Sequence, residues 1–139
     1  LKIGGKILIT TFDGKSIFDI LKDISINDEW ILKEDNINKY VIKRLYLGDK
    51  LTDVGQKIAV KLPMSDDMYE EYLCNIDYIT SLMTSNGFKL LESNNFINYD
   101  NVFIENSKFL KNPLKLTSND KFYVNLYKYI ILEKIENIK

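Results

Sequence analysis

The run from Lys6 to Phe12 (KILITTF), set behind Gly4-Gly5, restricts the fold more than any other stretch of this chain. After its first residue it is continuous in apolar and β-branched side chains. Such a run, without polar alternation, predicts a strand buried on both faces, as in the parallel sheets of α/β proteins. Asp13 to Ser16 (DGKS) then reads as a turn and helix start. Ile17, Phe18, Ile20 and Leu21 share one face of a helix from Ser16 to Lys22. The chain opens straight onto this strand without Met, and the expectation is a fragment whose N-terminal part lies elsewhere.

The middle of the chain is rich in strands. Glu29 to Glu34, Lys39 to Leu47 and Gln56 to Pro63 read as strands of a small antiparallel insertion, separated by polar turns. A long helix is expected next. Ser65 offers an N-cap, Asp66 and Asp67 complement the helix dipole, and Met68, Tyr72, Leu73, Ile76, Ile79, Leu82 and Met83 recur at helical spacing. Asn86-Gly87 closes it, with Gly free to turn left-handed. Phe88 to Phe96 reads as a strand, Phe96 to Asn106 as a further helix, and Leu126 to Glu136 as a last, buried strand preceded by a short helical piece. No repeat and no internal boundary is visible. The order is that of the second half of an α/β sheet domain.

Composition narrows the chemistry. Histidine is absent, which excludes Ser-His-Asp and Cys-His catalysis and every histidine-based metal site. No metal is expected. Cys74 is single, so no internal disulfide forms. It reads as a small core residue in a reducing, intracellular setting. The net charge of -1 argues against nucleic-acid binding through bulk charge. It leaves room for a site that grips one terminal nucleotide. No apolar run approaches the ~20 residues of a membrane span, and no signal peptide is seen.

Four segments, taken in order, resemble the C-terminal half of mRNA cap (guanine-N7) methyltransferases. Leu1 to Gly14 (LKIGGKILITTFDG) is similar to that family's Gly-Gly turn, sheet strand and Thr-rich tip, in the form found in large DNA viruses. Glu70 to Leu91 (EEYLCNIDYITSLMTSNGFKLL) resembles its glutamate-aromatic segment with the helix and strand that follow. Leu116 to Asp120 (LTSND) and Leu126 to Glu136 (LYKYIILEKIE) look like its closing elements.

The resemblance implies an α/β class I (Rossmann-like) methyltransferase fold, of which residues 1–139 form the C-terminal half: a mostly parallel sheet with a small antiparallel insertion. It implies methyl transfer from S-adenosylmethionine to N7 of the cap guanine. The family's acidic Gly-rich donor loop is absent, so the donor is expected to be bound by a missing upstream half. The partners implied are the capped 5' end of mRNA, that upstream half and other capping-enzyme domains or subunits. The location implied is cytoplasmic for a viral protein and nuclear for a cellular one. A non-catalytic scaffold in a capping complex, or half of another class I methyltransferase, are the alternatives.

The resemblance also nominates residues. Glu71 matches the family's glutamate, whose carboxylate can accept both N1-H and the N2 amino group of guanine. By itself it reads as a first-turn helix glutamate. Tyr127 matches the tyrosine of the closing strand, with Tyr129 and Tyr123 as nearby alternatives for a register shifted by two or more positions. Phe12 stands where relatives often carry a proline beside the base. Ile58 replaces an aromatic in the segment KIAVKL, which puts that contact in doubt. Lys108, Lys111 and Lys115 lie in a polar loop, solvated or facing phosphates.

Overall fold

The computed structural model describes residues 1–63, 65–110 and 115–137. Its contacts divide the chain into two compact units, one formed by Leu1–Thr11 with Met83–Lys139 and the other by Phe12–Leu82.

The Phe12–Leu82 unit is built on a four-stranded sheet with strand order β2-β3-β4-β5. The strands are β2 (Glu29–Glu34), β3 (Ile37–Arg44), β4 (Lys57–Lys61) and β5 (Met68–Tyr72). Every neighbouring pair is antiparallel. Asp35 and Asn36 join β2 to β3, both at positive φ (50° and 63°). These residue types tolerate that conformation, and two such residues in succession match the twist of a hairpin. Helix α1 (Gly14–Leu21) buries Ile17, Phe18 and Leu21, and the sheet contributes Ile42, Ile58 and Val60 to the core.

Arg44 ties these parts together. Its buried guanidinium donates to the carbonyls of Leu21 (3.3 Å), Lys22 (3.0 Å) and Ile24 (2.8 Å) at the C-terminal end of α1. It also donates to Tyr46 O (3.2 Å) and to Gly48 O in the following loop. The Tyr46 ring lies 4.7 Å from the Arg44 guanidinium carbon and stacks on Phe18. A cation among the last carbonyls of a helix meets the negative end of its dipole. At the other end of α1, the Gly14 N–H donates to Cys74 O at 3.0 Å. A Cβ at Gly14 would sit 2.4 Å from that oxygen, so only glycine allows the approach.

The second unit holds a three-stranded sheet of order β1-β7-β6, from β1 (Lys6–Phe12), β6 (Phe88–Asn95) and β7 (Tyr127–Lys134). Central β7 buries Tyr129, Ile130 and Leu132. Gly4 N–H donates to Lys134 O (2.8 Å) and Lys134 N–H to Gly5 O (2.9 Å), fixing β1 beside β7. A 3-10 turn (Phe96–Tyr99), α3 (Asp100–Ser107) and α4 (Ser118–Val124) complete the unit. Thr117 and Asp120 cap α4 reciprocally. The Tyr129 hydroxyl donates to the Glu92 carboxylate and lies 2.6 Å from the Tyr99 hydroxyl. That chain of bonds locks β6, β7 and the 3-10 turn. The acceptor carboxylate, then the Tyr99 bond, then burial push the Tyr129 phenol from 10.0 up to about 12.

Three expectations are corrected here. The sheet is not mostly parallel and the fold is not the Rossmann-like arrangement: among the described residues both sheets are antiparallel throughout. Local patterns call for strands but carry no direction, and here the neighbours are joined by hairpins or run opposite to β7. Strand β1 is not buried on both faces, since its exposure alternates and Leu8 is 64% exposed. Nor does a helix start at Ser65. Residues Met68–Tyr72 are the edge strand β5, and helix α2 (Ile76–Ser85) begins after Asn75, whose side chain accepts from Tyr78 N–H at 3.2 Å. The Ser65 hydroxyl instead accepts from Asp67 N–H in a local turn. The expected stop holds, with Gly87 at φ 77°.

Two outcomes follow from these locks. Arg44→Met strands the carbonyls that the guanidinium serves, and the unfolding midpoint in urea is expected to drop by the equivalent of about 3 kcal/mol or more. Tyr129, raised above its unfolded value, contributes stability that is complete below about pH 10 and lost as pH rises through about 12. Tyrosinate absorbance during alkaline titration should show a late step that Tyr129→Phe removes.

Candidate functional site

Glu71 lies on β5, which is the edge of its sheet. It faces Ile58 across the strand pair, and Ile58 faces Arg44. Directly opposed residues of antiparallel strands share a face. Glu71 therefore leaves the sheet on the side where Ile42, Ile58 and Val60 are buried, at the rim of that core. It is exposed and makes no hydrogen bond or ion pair among the described residues. Its neighbour Glu70 points to the opposite face and is occupied: Lys57 Nζ binds it at 2.9 Å and lies 5.5 Å from the Tyr72 ring centroid. The hydrogen bond from Lys57 to Glu70, followed by the charges of Glu70 and Tyr72, raises the lysine's pKa. Of the two adjacent carboxylates, Glu70 is held in an exposed ion pair, whereas Glu71 makes none among the described residues.

Phe12 belongs to the same unit and is 6% exposed, so its ring is packed by protein. The bond from Gly14 N–H to Cys74 O joins the segment after Phe12 to the segment after Glu71. Leu73 N–H, bonded to Gln56 O at 2.8 Å, anchors the end of β5 from the other side. A cleft of about 500 Å³ opens beside this junction, lined by Val54, Gly55, Tyr72, Cys74 and Tyr78 among others. Cys74 is half-buried rather than a core residue.

Tyr127 lies in the other unit, at the start of β7. Its ring meets Tyr123 (5.7 Å) and Phe96 (6.4 Å) edge-on and is only partly buried. Tyr129 and Tyr123 are buried, and the Tyr129 hydroxyl is already spent on Glu92 and Tyr99. Among these three tyrosines, Tyr127 keeps the most accessible ring. Glu92 itself was not foreseeable, because its partner lies 37 positions away. Arg44 escaped notice for the same reason.

Lys108 and Lys115 are exposed, whereas Lys111 lies outside the described residues. Ile58 is fully buried and leaves no aromatic surface at that position. Among the described residues no group of three or more His, Cys, Asp or Glu is placed to hold a metal. No helix among them is long and apolar enough to cross a membrane. The residues do not fit S-adenosylmethionine. The one Gly-Gly pair is a turn, where a Cβ at Gly5 would meet Leu1 Cγ at 2.7 Å, and no acidic Gly-rich loop follows a strand.

No family model matches the chain. It is 34% identical over 137 residues to the mRNA-capping enzyme of African swine fever virus, strain Badajoz 1971 Vero-adapted, across 96% of its own length. The mRNA-capping enzymes of isolates Tick/South Africa/Pretoriuskop Pr4/1996 and Warthog/Namibia/Wart80/1980 match with the same identity and extent. The chain spans 16% of the length of these relatives. It is thus homologous to a segment of viral mRNA-capping enzymes.

Proposed function

We propose that this chain holds the guanine of an mRNA 5' cap during its methylation at N7, as part of a viral capping enzyme. The observation that carries the reading is the unpaired Glu71 carboxylate at the rim of a buried core, beside a glutamate already neutralised by lysine. Homology to viral mRNA-capping enzymes supports the same direction.

The chemistry asks little of acid or base groups. Guanine N7 carries a lone pair and no proton, so methyl transfer is an in-line displacement without a general base. Positioning supplies most of the rate. A carboxylate that accepts N1-H and the N2 amino group together fixes the ring in its plane and leaves N7 on the far edge. Adenine lacks that pair of donors and would leave the carboxylate unsatisfied. The negative charge also favours the purine as it becomes cationic. In the other unit, the partly exposed ring of Tyr127 is by itself suited to packing on a base of the transcript. Buried Phe12 supports the strand end rather than presenting its face. The methyl donor in this reading is S-adenosylmethionine, held by another part of the capping enzyme than this chain, and the catalytic unit includes that donor-binding part.

Glu71→Ala should weaken binding of a guanosine cap analogue by roughly 10- to 100-fold, the scale of one or two charge-assisted hydrogen bonds. Affinity for the matching adenosine dinucleotide should stay as it was. Fluorescence titration with both compounds measures this. Equal affinity of variant and parent for the guanosine compound, or a parallel loss for both, would remove Glu71 from the site.

A further inference from the structure

Two adjoining cavities lie between α3 and α4, of about 290 and 270 Å³, and share Asp100 and Leu116. One is aromatic, lined by Phe96, Tyr99 and Phe103. The other is bordered by Lys108, Lys115 and Lys121. Each lies near the lower end of the ~300–1,000 Å³ range of small-ligand sites. We infer that this double cleft takes one nucleotide of single-stranded RNA, with the base among the rings and its phosphate on the lysines. The inference rests on the reading that the protein acts on RNA, and it adds a subsite separate from Glu71.

Charge complementarity selects the occupant. Asp100 takes Lys121 at 2.7 Å, so that lysine is compensated within the protein. Lys108 and Lys115 are exposed and make no hydrogen bond or ion pair among the described residues. Two uncompensated cations beside an aromatic slot fit a ligand that is anionic at one end and a flat π system at the other. Tyr99 and Phe103 are 44% and 41% exposed, so ring surface remains to be covered. An apolar protein segment would use the rings but not the cations, and lysine is depleted at the centres of protein interfaces. Base-on-aromatic stacking accepts any base, as the body of a transcript requires.

The cleft also adjoins Tyr127 of the same unit. Phe96 lines it and stands edge-on to Tyr127 at 6.4 Å. A nucleotide there would be one ring removed from Tyr127, within the same unit.

The experiment is fluorescence anisotropy with labelled uncapped pentauridylate over a salt series, alongside the cap-analogue titration. Phe103→Ala should weaken oligonucleotide binding about tenfold at every salt concentration. Phe103→Leu, which keeps an apolar side chain but loses the ring, should do nearly the same. Lys108→Glu with Lys115→Glu should flatten the plot of log K against log salt by about 0.7 for each phosphate that the protein no longer neutralises. All three variants should bind the cap analogue as the parent does, while Glu71→Ala should show the reverse pattern. The inference is overturned if the parent protein does not bind pentauridylate, or if these variants bind it unchanged. It is equally overturned if the Phe103 variants matter but the salt slope does not move, which would indicate an apolar partner. A parent protein that binds pentauridylate but not the cap analogue, or a Glu71→Ala variant that binds the cap analogue as the parent does, would count against the role of Glu71 and leave this cleft standing.

Discussion

The Phe12–Leu82 unit depends on one buried cation without an acidic partner. Arg44 spends its donors on five backbone carbonyls, three at the end of α1 and two in the loop after β3. Burying a guanidinium is costly unless every proton finds an acceptor, and the carbonyl ends of a helix supply acceptors with partial negative charge. The arrangement therefore specifies as well as stabilises. A shift of β3 by one residue would turn Arg44 to the other face and leave helix carbonyls and cation both unsatisfied. The register so fixed passes outward through Ile58 to Glu71, since the three residues form one row across the sheet. The candidate ligand-binding carboxylate is thus placed, two strands away, by a helix-capping interaction.

Much of the local structure was readable. The limits of β1 and β2, the face of α1 carrying Ile17, Phe18 and Leu21, and the stop at Asn86-Gly87 all follow from patterning and turn chemistry. The helix start did not. Met68, Tyr72 and Ile76 are spaced by four, a spacing that satisfies both a helical face and one face of a strand. What decides for strand is tertiary: pairing with β4 and the ion pair from Lys57 to Glu70. Sheet direction was equally illegible, because an apolar run looks the same whichever way its neighbours point. Residues such as Arg44 and Glu92 gain much of their meaning from partners twenty or more positions away.

Correcting the helix to a strand sharpens the candidate site. In a first helical turn, Glu70 and Glu71 would share the dipole and the solvent. On an edge strand their side chains leave by opposite faces, and the environment separates them. Glu70 meets a lysine and is neutralised. Glu71 reaches the rim of the core and, among the described residues, makes no hydrogen bond or ion pair. The resemblance to cap methyltransferases singled out the residue; the sheet supplies a physical reason why it is the unsatisfied one.

The net charge of -1 looks unfavourable for the proposed action on RNA, yet it agrees with how the proposed binding groups are distributed. Affinity built on many phosphate contacts needs a broad basic surface and is lost steeply with salt. Recognition of one chain end needs a few groups of the right chemistry: an acceptor for guanine's donor edge, rings for stacking, and one or two cations. Each is present locally, Glu71 in one unit and Tyr127, Phe103, Lys108 and Lys115 in the other. Under the proposed reading, a chain so balanced would discriminate by pairing and stacking at defined positions and leave long-range attraction of the transcript to other surfaces.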